Sequence, residues 1–117
     1  MDIRLTFRRA KWFIQRGRRG WADCDIWDFD SYLCGVIAAG LERLKEECQG
    51  CPVEFWDEDA AGDECHKWRQ VLETMIQGFK AHQLSLEETD RDRIAELEKT
   101  AEEGMDLFTK YMGYLWD

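Results

Sequence analysis

Pro52 is the only proline in a chain of 117 residues, and on either side of it apolar residues recur at threes and fours over long stretches. Proline fixes φ and removes a backbone donor, so its scarcity leaves long uninterrupted helices open. The 3.6-residue period says that the chain uses them. The pattern predicts an all-α fold: a single helical-bundle domain of three main helices behind a short N-terminal segment. From about Asp28 to Cys48, the residues Tyr32, Leu33, Val36, Ile37, Leu41, Leu44 and Cys48 form one apolar face, and Gly50 and Pro52 end it. Asp63 reads as the N-cap of a second helix to about Gln83, with Trp68, Val71, Leu72, Met75, Ile76 and Phe79 on one side. Ser85-Leu86-Glu87-Glu88 fits a capping box that opens the third helix. Its stripe is Ile94, Leu97, Ala101, Met105, Phe108, Tyr111, Met112 and Leu115. At the other end, Ile3, Leu5 and Phe7 alternate as a short extended segment would, before a helix over 7–16 and a loop at Arg16-Gly17-Arg18-Arg19-Gly20.

Charge is unevenly placed. Residues 1–20 carry Arg4, Arg8, Arg9, Lys11, Arg16, Arg18 and Arg19 against Asp2 alone, a balance of +6. Residues 21–117 carry 9 basic and 24 acidic groups, a balance of −15. The sequence therefore divides into a basic arm (1–20) and an acidic helical body (21–117). An acidic body repels nucleic acid and is drawn to basic surfaces, including the clefts of proteins that hold DNA or RNA. The basic arm is the segment that would touch phosphate, if any does. No apolar run approaches the length of a membrane span, and the N-terminus lacks a signal-peptide core. The expected location is cytoplasmic, with no membrane partner.

In that compartment five cysteines stay reduced, and an odd number suits a disulfide framework poorly. Cys48-Gln49-Gly50-Cys51 is followed fourteen residues later by Cys65-His66. Zn²⁺ takes four thiolate or imidazole ligands in a tetrahedron, and C-x-x-C lets one turn supply two of them. The expected ligand set is Cys48, Cys51, Cys65 and His66, with Cys24, His82 or a carboxylate such as Asp63 as replacements for the imidazole. All four positions being protein, the zinc is expected to be structural, clasping one helix end to the next helix start. A redox C-x-x-C sits at a helix N-terminus, whereas this one lies at a C-terminal exit. The zinc-deaminase pattern H-x-E with P-C-x-x-C is absent, as is a phosphate-cradling glycine loop. Two histidines leave little for nucleophilic catalysis, and no enzyme activity is expected. Trp68 and Trp116 belong to apolar stripes and are expected in the core. Trp21, Trp27 and Trp56 fall at caps and loops, where they pack over helix ends or serve recognition.

Several segments together resemble a group of small phage- and prophage-encoded proteins. Arg19-Gly20-Trp21-Ala22-Asp23-Cys24-Asp25-Ile26-Trp27 is similar to its R-G-W-[SA]-D-x-D-x-W opening, and Asp30-Ser31-Tyr32-Leu33 to a D-x-Y-[LI] helix start. Gly50-Cys51-Pro52 resembles a G-Y-P turn, with Cys51 in place of tyrosine. Gly78-Phe79, Leu107-Phe108-Thr109-Lys110-Tyr111 and Leu115-Trp116-Asp117 resemble the group's G-F pair and L-F-x-K-Y-x-x-x-L-W-D ending. Phage context implies kinship in function with anti-CRISPR proteins, which bind a Cas effector nuclease and block its DNA loading or cleavage. A Cas9-like effector holds nucleic acid in a positively charged channel, which an acidic surface would fit. The candidate contacts are Glu54, Asp57, Glu58 and Asp59 in the loop, and Glu87, Glu88, Asp90 and Asp92 further on. The alternatives are a phage structural or packaging accessory, and a nucleic-acid-binding module using the basic arm.

Overall fold

The structure, a computed structural model, describes residues 2–116. Four α-helices carry the chain: α1 (Ile3–Arg19), α2 (Phe29–Glu47), α3 (His66–Ser85) and α4 (Arg91–Tyr111). Short 3-10 turns lie at Asp23–Ile26, Val53–Phe55 and Met112–Tyr114, and no strand occurs among the described residues. The chain forms two compact units, residues 1–32 and 33–117, with α2 running through the division.

The first unit corrects the expected extended start. Asp2 caps α1 by accepting the amide of Arg4 at 2.9 Å, and the helix runs unbroken through Gly17 to Gly20. Gly20 ends it with φ at 88°, a left-handed turn that glycine adopts without a Cβ clash. Arg16, Arg18 and Arg19 occupy the last turn, where the helix dipole favours cations. The alternation of Ile3, Leu5 and Phe7 is accommodated by the helix itself, which puts Leu5 on a different side from the other two.

The second unit is built on an antiparallel pair, α3 and α4, with α2 against them. Trp68, Leu72, Met75, Ile76 and Phe79 of α3 are buried with Cys34, Ala38 and Leu41 of α2 and Tyr111 of α4. Trp68, Leu72, Met75 and Ile76 lose essentially all their exposure, worth roughly 1.5–3 kcal/mol each for side chains of this size. Lys45 reaches Glu73 at 2.9 Å, and Lys80 pairs with Glu42, so charged links flank the α2–α3 contact. Aromatic contacts set the register of the hairpin: Trp68 meets Tyr111 at 5.8 Å and Phe79 meets Phe108 at 5.0 Å, both edge-on. Where the helices cross, Gly78 faces Gly104, and a Cβ on Gly78 would lie 2.6 Å from the Gly104 Cα.

Helix starts differ from the expected ones. Cys65, not Asp63, is the N-cap of α3, while Asp63 pairs with Arg69 and its carbonyl accepts the His66 amide. Ser85 closes α3, its hydroxyl donating to the His82 carbonyl at 2.6 Å, and Asp90 caps α4 by accepting the Asp92 amide at 3.0 Å. At the C-terminal end α4 stops at Tyr111, leaving Met112 and Trp116 exposed rather than in the core, while Leu115 still packs on it.

Candidate functional site

The cysteines come together differently from the expected zinc tetrahedron. Cys51 and Cys65 form a disulfide, their Cα atoms 5.8 Å apart. A sulfur bonded to sulfur has no thiolate to offer a metal. Cys48 is a free thiol whose Sγ lies 3.5 Å from the Lys45 carbonyl, inside its own helix end. His66 Nε2 is hydrogen-bonded to Asp57 Oδ2 at 2.9 Å. Among the described residues no group of three or more His, Cys, Asp or Glu could hold a metal ion. In this covalent state the set Cys48, Cys51, Cys65 and His66 does not fit zinc. Cys24 and His82, the expected replacements, lie elsewhere: Cys24 in the first unit beside Arg16, His82 near the end of α3.

The clasp nonetheless joins the exit of α2 to the start of α3. Between its two ends the chain is held at further points. Phe55 is sandwiched against Trp68 at 5.5 Å and Tyr111 at 5.2 Å. The Asp57 amide donates to the Glu64 carbonyl at 2.9 Å, and Gly62 turns the loop with φ at 88°. The hydrogen bond from His66, with Lys67 3.9 Å away, holds the Asp57 carboxyl below the usual carboxylate range. Asp57 is therefore a tether, half-buried, while Glu54, Glu58 and Asp59 are exposed.

Glu87, Glu88 and Asp90 belong to the connection between α3 and α4 and Asp92 to the first turn of α4, at the opposite end of the hairpin from Phe55. A helix of 20 residues is about 30 Å long, so these two acidic groups do not make one surface. Glu88 Oε1 accepts the amides of Thr89 and Asp90, and Asp90 is the α4 cap, so both have local work. What links the two ends is α4 itself. Its solvent side shows Asp92, Glu96, Glu103 and Asp106, with Glu98 and Glu102 beside them; Lys99 and Lys110 interrupt the row, and Arg93 pairs with Glu96 at 3.1 Å. In the sequence these carboxylates are spaced by four, seven and three residues, with Lys99 in the longest gap, so the alternating charge over Asp90 to Lys99 conceals their common side.

The motif-like opening of the sequence has a structural explanation within the first unit. Arg16 makes a bidentate pair with Asp25, Nε to Oδ2 at 2.9 Å and Nη2 to Oδ1 at 2.7 Å, and Asp25 Oδ2 also accepts the Ala22 amide at 2.8 Å. Asp25 is the buried charged residue among the described residues, and Arg16 holds its pKa down to about 2. Gln15 exchanges two hydrogen bonds of 2.9 Å with Asp23, which Arg19 also pairs at 2.6 Å. Gln15 and then Arg19 hold the Asp23 carboxyl low. Arg19 lies 3.7 Å over the Trp21 ring, and Trp27 packs edge-on against Trp12 at 6.3 Å. The Tyr32 hydroxyl donates to the Gly20 carbonyl. Ala22 is wholly buried, so a larger side chain has no room.

This knot consumes one side of α1. The other side, Ile3, Phe7, Ala10, Phe13 and Ile14, is open to solvent. Ile3, Thr6, Phe7 and Ala10 line a shallow apolar depression of about 230 Å³. A second apolar depression, about 320 Å³, lies beside the disulfide among Gly50, Cys51, Pro52, Val53, Tyr114 and Trp116. No helix is long and apolar enough to cross a membrane among the described residues. In comparison with known proteins, no family model, no curated protein and no solved structure matches the chain.

Proposed function

We propose that the chain is a non-enzymatic binding protein of phage type that inhibits a nucleic-acid-handling protein by occupying its basic channel. A Cas9-like effector is the partner to which the resemblance in sequence points. The observation that supports this reading is the ridge on α4, together with a second unit that carries 9 basic against 20 acidic groups over residues 33–117. A row of carboxylates on a rigid helix presents negative charge at roughly regular spacing, as a nucleic-acid backbone does, and a channel built for phosphates meets it with arginine and lysine. The acidic loop with Glu54, Glu58 and Asp59 adds a second contact at one end.

The test is target-DNA cleavage by purified Cas9-type effectors with the protein added in increasing amounts. Inhibition complete near equal molar ratio is expected, with the effector protected only when the protein is added before DNA. Glu96→Lys with Glu103→Lys should weaken it at least tenfold while leaving the helical circular dichroism unchanged, both side chains being exposed. Undiminished cleavage across a panel of effectors refutes the proposal.

A further inference from the structure

We propose that α1 is a peripheral membrane anchor, lying along an anionic lipid surface with its apolar strip inserted among the acyl chains. The inference is independent of the function proposed for the second unit. On a helix of 17 residues, about 25 Å long, Ile3, Thr6, Phe7, Ala10, Phe13, Ile14 and Gly17 fall within an arc of about 120°. Ile3, Phe7, Phe13 and Ile14 are 70%, 73%, 78% and 56% exposed, a continuous strip of large apolar side chains without cover. Single exposed hydrophobics need no explanation, but a strip along a whole helix does.

The flanks say what kind of cover fits. Arg4, Lys11 and Arg18 border the strip on one edge and Arg9 on the other. Arg16 and Arg19 are committed to Asp25 and Asp23, and Lys11 lies 3.8 Å from Asp23. Arg4, Arg8, Arg9 and Arg18 form no ion pair among the described residues. A helix with bulky apolar residues on one face and unpaired cations at its borders matches the interface of a bilayer, where the strip enters the acyl region and the cations rise to headgroup phosphates. Nucleic acid would engage the cations and leave two phenylalanines in water. A second copy of the chain would have to oppose like charges along the same edges. The polar side of α1 is the side that carries the Trp12, Gln15 and Arg16 contacts, so lying on a membrane requires no unfolding of the first unit.

The experiment is co-sedimentation of the full chain with vesicles of phosphatidylcholine alone or mixed with phosphatidylglycerol. Partitioning onto the mixed vesicles is expected to exceed that onto the neutral ones by roughly fivefold for each cation that reaches the surface, and to fall as salt rises. Phe7→Glu and Phe13→Glu should each reduce it by about tenfold or more, the factor that burial of one phenylalanine commands. Both side chains are mostly exposed, so the thermal melt of each variant should match the parent. Absence of partitioning onto anionic vesicles overturns the proposal, as does partitioning that is indifferent to both substitutions. A lipid-free dimer that dissociates in Phe7→Glu would assign the strip to a second copy, and duplex binding unaffected by Phe7→Glu with no vesicle binding would assign the cations to nucleic acid.

Discussion

Replacing Gly78 by alanine tests the closest approach in the fold. The added Cβ would sit 2.6 Å from the Gly104 Cα, and 3.2 Å from both the Gly104 nitrogen and the Thr100 carbonyl oxygen. All three are backbone atoms, so no side-chain rotation relieves the clash. The helix axes must separate by about 1 Å to restore ordinary contact at 3.4–4 Å. A gap of 0.5–1 Å forfeits about a quarter to a half of each dispersion contact along the seam, which includes Phe79 against Phe108 and Ala81 against Leu97 and Ala101. Overpacking of this kind costs about 1–3 kcal/mol. Against it stands about 1 kcal/mol gained from alanine's better helix propensity.

Loss of about a quarter to a half of those contacts along a seam of this length places the clash near the upper end, so the net expectation is a loss of about 2 kcal/mol. Gly104→Ala should cost at least as much, because its Cβ would also meet the Thr74 carbonyl oxygen at 2.8 Å. The double variant should cost less than the sum, since one separation of the helices relieves both clashes. Gly40→Ala is the internal control: it lies within α2 with nothing near its added Cβ, so it should gain up to about 1 kcal/mol. Urea unfolding followed by circular dichroism reads all four, as shifts of midpoint at constant slope. If Gly78→Ala moves the midpoint upward as Gly40→Ala does, the helices do not cross at these glycines and the packing of α3 on α4 described above is wrong.

Removing the clasp by Cys51→Ser opens a cross-link between residues separated by 14 positions, and should cost about 3 kcal/mol, read as a lower melting temperature. The parent protein melted in excess reductant should fall to the same temperature as the variant. Trp68→Ala removes the centre of the Phe55, Trp68 and Tyr111 cluster and should cost about 3–5 kcal/mol in urea unfolding. Asp25 is held down to about 2, against an ordinary carboxylate value of 3.8, by the Arg16 guanidinium. A depressed pKa contributes stability that is present above the ordinary value and is lost as pH falls through the folded one. Carboxyl NMR should therefore show Asp25 still ionised at pH 3, and Asp25→Asn should flatten the acid limb of the stability curve between pH 4 and pH 2.

The second unit was readable because α3 buries a nearly uninterrupted stripe, which admits few alternatives to a helix; the face expected for α2 was offset, since Leu33 and Val36 are exposed while Cys34 and Ala38 join Leu41 in the core. Helix starts were less readable. Ser85 and Glu88 satisfy the capping-box spacing, yet α3 uses Ser85 at its C-terminal end, and Asp90 has the better geometry for α4. Asp63 is the right residue type for a cap but is engaged by Arg69, leaving Cys65 in the position. The glycine crossing was invisible, because Gly78 and Gly104 gain meaning only once the hairpin register puts them face to face. The cysteines show a different limit. Spacing reports that a helix exit and a helix start are tied, and a zinc ion or a disulfide would tie them alike. In the structure Cys51 and Cys65 bond to each other while Cys48 turns to Lys45 and His66 to Asp57, an arrangement that no spacing encodes.

The covalent tie bears on which acidic surface a partner uses. Ordering a free loop on binding costs roughly 1–2 kcal/mol per residue in backbone entropy, so charges on a mobile loop bind weakly. Here the loop is already fixed by Cys51–Cys65, by Asp57 on His66, and by Phe55 between Trp68 and Tyr111. Reduction releases the first of these and leaves the α4 ridge on an intact helix. A partner that reads Glu54, Glu58 and Asp59 should therefore lose affinity when the protein is reduced, chiefly through faster dissociation. One that reads Glu96, Glu103 and Asp106 should bind the reduced and oxidised forms alike. Dissociation rates measured on both forms, at a temperature where both remain folded, separate the two. Equal rates combined with loss of binding in Glu58→Lys would contradict the premise that the clasp is what holds the loop in its binding shape.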